Sequence, residues 1–265
     1  MIDGRPSLRD RIDAGNLVLC LALAQARTAD IPMIAAASGF DAVYVDLEHA
    51  ATSLETVSLL CTGAVAAGIT PLVRVPSHDH HHLTRALDVG AMGVIVPHVE
   101  TPEDAEAIAG ACRFPPRGHR SVAGPNPSNL HRPMPQRELL DHFDAQTTVA
   151  VMLETPVAVA NADDIASVDG IDMIMVGPHD LTAEMGILGQ FHDEAFLDAV
   201  RTVAKACRAH GTVFGMAGIR DLDLLTDFVE LGVRFVSAGT DAGFLSEAAG
   251  AHAARLRTIP VEGGG

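Results

Sequence analysis

Between residues 16 and 256 the chain repeats one pattern eight times: a short β-branched or apolar run, then a stretch with helical spacing of its apolar residues. The runs fall at 16–23, 41–47, 71–75, 93–97, 148–153, 172–176, 212–216 and 234–238. Local signals punctuate the helical stretches. Asp30 is an N-cap candidate with Pro32 in the first turn, Ser53 precedes a helix that Gly68 closes, Pro102 opens another, and Gly211 ends a long one. Strands alternating with helices demand parallel pairing through right-handed crossovers, and eight such units close a (β/α)8 barrel. The rival is an open doubly wound sheet, which carries a glycine-rich phosphate turn after its first strand. Here that place reads LALAQARTAD, without a glycine. The expectation is a single barrel domain over 1–265, with a long loop insertion at about 114–146 that is rich in Pro, Arg and Asn. Loops of that length in compact domains are usually functional or interfacial.

Charge and composition narrow the function. The formal net charge is −16, with no Trp and one Tyr, Tyr44. Such a chain is poorly suited to nucleic acid or to an anionic membrane surface. It can still take a small anionic substrate, provided a metal or a buried Arg supplies local positive charge. Cys20, Cys61, Cys112 and Cys207 form no C-x-x-C pair and read as reduced core residues. The N-terminal MIDGRPSLRDRIDAG has no apolar h-region, and no run of about 18 apolar residues occurs. A cytoplasmic protein is expected, with a frayed VEGGG end.

In a barrel of this kind the chemistry gathers at the C-terminal ends of the strands. The predicted strands end in Asp46, Glu48 and His49; in Arg74; in Pro97 and His98; in Glu154 and Thr155; and in Gly177, Pro178, His179 and Asp180. The last two predicted strands end in small, weakly polar residues. Titratable groups thus crowd one part of one rim. Glu154 and Asp180 stand 26 residues apart, the spacing of a strand, a crossover helix and the next strand. Side by side they would seat a hard divalent cation; singly, either is a cap or a solvated charge. Arg74 lies in an apolar strand, where a charge needs a partner: a structural ion pair, or a substrate oxyanion on the barrel axis. His49 with Asp46 could be a base oriented by a carboxylate. His78, His80, His81 and His82 read as a solvated helix start rather than a metal site. The only lysine, Lys205, falls in a predicted helix, which argues against a Schiff-base mechanism.

The ordered set VDLEHA, PLVRVP, LDVGAMGVIVPHVETPEDAE, FPPRGHRS, ETPVAVANADDI, DMIMVGPHDLTAEMG and FVSAGTDAGFL resembles the HpcH/HpaI family of metal-dependent 2-oxo acid aldolases, within the phosphoenolpyruvate/pyruvate barrel superfamily. The resemblance covers roughly residues 41–256. It implies that Glu154 and Asp180 hold Mg²⁺ or Mn²⁺, with Co²⁺ as an alternative, and that Arg74 meets the keto or enolate oxygen. It further implies that His49 and Asp46 form the base dyad, and that the turn of Gly177, Pro178, His179 and Asp180 receives the carboxylate of a 2-oxo acid through the amides of His179 and Asp180. By the same resemblance the last helix swaps between subunits of a homohexamer, a trimer of dimers, bringing Asp88 toward a neighbour's site. The implied reaction is aldol cleavage of a 4-hydroxy-2-oxo acid to pyruvate and an aldehyde.

Two places depart from the better-known aldolases. Met152 stands where those have Gln, two positions before the metal-binding Glu, and SVAGPNP follows PPRGHR where those have Gly. These features resemble a branch with macrophomate-synthase-like and oxaloacetate-decarboxylating members. They keep decarboxylation and citrate-synthase-like condensation open as alternative uses of the same enolate.

Overall fold

The structure is a computed structural model that describes residues 7–260. The first residues of the MIDGRPS start and the VEGGG end lie outside the described residues. Eight strands form one sheet: β1 Val18–Leu23, β2 Ala42–Asp46, β3 Thr70–Arg74, β4 Gly93–Val96, β5 Thr148–Leu153, β6 Met173–Val176, β7 Val213–Ala217 and β8 Val233–Thr240. Each is parallel to the next in sequence, and β8 returns to β1, so the barrel closes as expected.

Strand periodicity sorts the side chains into two cores. Val43, Val45, Val73, Val94, Val96, Val151, Leu153 and Val176 face outward and pack beneath the helices. The alternate residues Tyr44, Leu72, Ile95, Ala150, Met152, Met173, Met175 and Phe235 fill the barrel. Leu8 and Ile12, from the helix Leu8–Asp13, join this inner cluster. Burying each such aliphatic side chain is worth about 1.5–3 kcal/mol. The same period of two carries on to the rim. Asp46 follows Tyr44, Arg74 follows Leu72, Glu154 follows Met152, and Gly177 follows Met175. The barrel's apolar filling therefore gives way to polar groups at its C-terminal end.

Most predicted helix ends are found. Ser53 caps Leu54–Ala67 by accepting from the Thr56 amide, and Gly68 closes that helix at φ 83°. Thr101 forms a capping box ahead of Pro102–Cys112. Asp30 differs from expectation: it is the first residue of Asp30–Ala37, Ala29 holds the cap position, and no side chain caps the helix.

The 114–146 segment is loop only in part. It contains a 3-10 turn, Pro127–Asn129, and an α-helix, Gln136–Gln146. Phe114, Leu139 and Phe143 make a small separate core, with the Arg120 guanidinium 4.8 Å from the Phe114 ring centre. Arg120 also binds Asp88 of the same chain at 3.1 Å, and the Asn126 side-chain amide donates to the Leu87 carbonyl at 3.3 Å. Buried Arg113 donates to the carbonyls of Asp144, Thr147 and Gly170. These anchors adjoin the starts of β4, β5 and β6, opposite the acidic rim.

The last helix, Asp241–Leu256, buries none of its side chains, and Leu245 is 71% exposed. Its first residue is nonetheless fixed: the Asp241 carboxylate accepts from the amides of Ala24, Gln25 and Ala26 in the loop after β1. All four cysteines are buried and free. Among the described residues, no helix is long and apolar enough to cross a membrane.

Candidate active site

Asp46 and Arg74 meet across neighbouring strands because the β2–β3 register sets them side by side. Arg74 Nε donates to Asp46 Oδ1 at 3.0 Å and Nη2 donates to Oδ2 at 2.7 Å, a two-pronged match of guanidinium and carboxylate. Asp46 Oδ1 also accepts from the amides of Glu48, at 3.0 Å, and His49, at 3.3 Å. Burial raises the Asp46 pKa, but the Arg74 contacts and these amides outweigh it and hold the carboxyl below its usual range. Burial opposes the Arg74 charge too; Asp46, Tyr44 and Glu48 more than offset that and hold the guanidinium firmly protonated. Tyr44 lies beneath, with Arg74 Cζ 5.6 Å from its ring centre.

The expected Asp46–His49 dyad takes another form. Asp46 receives the His49 backbone amide and gives its oxygens to Arg74. The carboxylate nearest the His49 ring is Glu48, 3.6 Å from Nε2, and the ring itself is 64% exposed. The reason is electrostatic: a guanidinium buried among apolar strands requires a carboxylate, and Asp46 is the one its register supplies.

Glu48 and His98 were placed on this rim by the sequence but given no role. Glu48 Oε2 lies 3.0 Å from Arg74 Nη1, and Oε1 lies 3.1 Å from His98 Nε2. His98 adopts φ 56°, in the left-handed region that side-chain-bearing residues avoid. Its amide donates to Glu154 Oε2 at 2.8 Å, and its Nδ1 lies 3.2 Å from the same oxygen. Nothing in the sequence marks that turn, because glycine, the residue that most often signals a positive φ, is absent from it.

Glu154 is 2% exposed. Burial raises its pKa; the His98 amide and ring counter this, while Asp180 and Glu48 push it further up. Gly177 makes room for it, since a Cβ there would stand 2.6 Å from Glu154 Oε1. Pro178 then opens the short helix Pro178–Glu184 and carries no N–H, so the amides of His179 and Asp180 are the first donors at that helix start. His179 and Asp180 are exposed at the mouth. The histidine tetrad is dispersed: His80 starts His80–Asp88, His78 Nε2 sits 2.6 Å from the Pro97 carbonyl, and His82 pairs with Ser77. Among the described residues, no group of three or more His, Cys, Asp or Glu has the spacing to hold a metal. Glu154 and Asp180 are instead a pair of hard oxygen donors. One is buried and made costly to ionise by its acidic neighbours, a setting that a cation would relieve.

The HpcH/HpaI aldolase/citrate lyase profile matches residues 18–248. The chain belongs to that family. Over 259 residues it is 35% identical to a 4-hydroxy-4-methyl-2-oxoglutarate aldolase of Hapsidospora irregularis, covering 96% of each chain. The HpcH/HpaI aldolase from Desulfitobacterium hafniense superposes with a TM-score of 0.90 at 28% identity, covering 97% of this chain and 99% of that one. The citrate synthase SbnG superposes with a TM-score of 0.84 at 31% identity, covering 95% and 98%. The chain is thus a carbon–carbon lyase of a family of metal-dependent class II aldolases.

Proposed function

We propose that this HpcH/HpaI protein cleaves a 4-hydroxy-2-oxo acid to pyruvate and an aldehyde, with Glu154 and Asp180 holding Mg²⁺ or Mn²⁺, or Co²⁺ in their place. The observation that carries this reading is the placement of Arg74 and Glu154 at one barrel mouth, linked through Glu48 and His98. When bound, the cation polarises the 2-oxo group as a Lewis acid. Of the five N–H groups of a guanidinium, Arg74 donates two to Asp46, and its Nη1 lies 3.0 Å from Glu48 Oε2 as an ion pair. The donors not given to Asp46 serve the oxygen that becomes negative. Held by Asp46, they need little reorganisation as that charge develops. The amides of His179 and Asp180, next to Gly177 and Pro178, receive the substrate carboxylate. His49, exposed at the mouth beside Glu48, takes the proton from the 4-hydroxyl. The C3–C4 bond then breaks, the aldehyde leaves, and the electron pair passes into the enolate, which gains a proton at C3 to give pyruvate. Lys205 is exposed on Glu194–His210, outside the barrel, so it has no part in this.

A second reading is decarboxylation of oxaloacetate, or a citrate-synthase-like or macrophomate-synthase-like condensation through the same enolate. It is favoured by the likeness to the citrate synthase SbnG and by Met152, buried directly below Glu154 where glutamine is the familiar residue. Pyruvate release from 4-hydroxy-2-oxo acids, compared with release from oxaloacetate in the presence of Mg²⁺ or Mn²⁺, separates the two. Turnover of oxaloacetate alone rejects the aldolase reading.

A cytoplasmic homohexamer, built as a trimer of dimers with the last helix exchanged, accompanies this function. Its support is the helix Asp241–Leu256, which leaves all its side chains unburied within one chain. Light scattering on the full chain and on a truncation before Asp241 tests it: the hexamer should give way to smaller species.

A further inference from the structure

Glu154 has two oxygens, and their surroundings differ. Oε2 receives the His98 amide at 2.8 Å and lies 3.2 Å from His98 Nδ1. Oε1 sits over Gly177, on the side of the turn that leads to Asp180, where a Cβ would come within 2.6 Å. The His98 ring does not end at Glu154. Its Nε2 lies 3.1 Å from Glu48 Oε1, and the other Glu48 oxygen is 3.0 Å from Arg74 Nη1. One unbroken line of polar contacts thus runs from Arg74 on β3, through Glu48 after β2 and His98 after β4, to Glu154 after β5.

His98 pays for this place with a left-handed backbone, φ 56°. That turn aims its amide at Oε2 and brings its ring back over the same oxygen. Strained conformations of non-glycine residues persist where surrounding structure demands them, and they cluster at functional sites. From this geometry we infer that His98 is a positioning residue: its ring, set between Glu48 and Glu154, backs the amide in holding Glu154 Oε2 and so leaves Oε1 as the single oxygen Glu154 turns toward the cation and Asp180. The inference rests on Glu154 being a metal ligand, as proposed above, and adds the residue that orients it. Hydrogen-bonding partners behind a ligand commonly set metal affinity by a factor of about 10–100.

The test is Mn²⁺ affinity, read from free-ion electron paramagnetic resonance, in the wild type, His98→Gly, His98→Asn and Glu154→Gln. Glycine keeps the amide and suits the left-handed backbone, so His98→Gly removes the ring alone. Asparagine tolerates the same φ but is too short to span both carboxylates, and it guards against a folding defect in the glycine variant. Both variants should melt at or near the wild-type temperature and bind Mn²⁺ about 10–100-fold more weakly. Affinity within twofold of wild type in a folded His98→Gly or His98→Asn, with binding abolished in Glu154→Gln, overturns the role of His98 and leaves the ligand assignment standing. Undiminished binding in Glu154→Gln overturns both.

Discussion

Asp46 grips Arg74 with both carboxylate oxygens, at 3.0 and 2.7 Å, at the top of an otherwise apolar barrel. The pair lets a guanidinium stand charged in a buried place, and under the proposed function its remaining donors serve the enolate oxygen. Arg74→Ala should therefore lower kcat/KM by roughly 3 kcal/mol of transition-state stabilisation, about a hundredfold or more. Mn²⁺ affinity should stay nearly unchanged. Steady-state kinetics and metal titration on the same preparation check this, and unaltered turnover would remove Arg74 from the mechanism.

The same pair has a pH signature. The Asp46 carboxyl sits below its usual range in the folded chain. Its contribution to stability is therefore complete above the unfolded value, about 3.9, and is lost as pH falls through the lower folded value. Urea midpoints measured between pH 2 and 6 should fall more steeply toward acid in the wild type than in Asp46→Asn. Parallel curves would mean that Asp46 has no linked role.

Glu154 shifts the other way. Burial, with Asp180 and Glu48 adding, raises its carboxyl above the ordinary range, so proton and cation compete for it at a milder pH than for an exposed glutamate. In the metal-free chain the buried charge is a penalty present above the raised folded value and relieved as pH falls through it. Mn²⁺ affinity should decline with acidification within that window. A flat affinity profile down to the usual carboxylate range would contradict it.

Gly177 matters for space rather than conformation, since its φ is −95°. A methyl group there would stand 2.6 Å from Glu154 Oε1 and 2.7 Å from Cγ. Gly177→Ala should displace Glu154 and weaken Mn²⁺ binding by about tenfold or more, with a smaller effect on melting temperature. Calorimetric titration reads the first and thermal unfolding the second.

Removing divalent ions with a chelator should abolish pyruvate release, and Mg²⁺, Mn²⁺ or Co²⁺ should restore it. Activity that survives exhaustive chelation would exclude the metal-dependent reading for this chain.

Much of this was legible in the residues. The strand and helix alternation led to the barrel, and the rim residues Asp46, Arg74, Glu154 and Asp180 could be picked out because strand ends carry the polar groups of such a fold. The helix Gln136–Gln146 was hidden inside a segment whose Pro, Arg and Asn content suggested loop throughout. Glu48 and His98 could be placed on the rim but not paired, and Asp46, expected behind His49, meets that residue through its backbone amide while its carboxylate pairs with Arg74. The differences in pairing share a cause: they concern which of several nearby polar groups meets which, and residue order holds no distances.

Periodicity is a local property, written in the spacing of apolar residues along one segment at a time. That is why the order of residues alone was sufficient for eight parallel strands and for the rim on which the acids collect. Partner choice depends on closure. Only when β2, β3, β4 and β5 lie side by side do Asp46 and Arg74 come into register, and only the left-handed turn at His98 brings its ring between Glu48 and Glu154. Coulomb energy and hydrogen bonding fall off over a few ångströms, so those pairings exist in the closed barrel and nowhere in the linear chain.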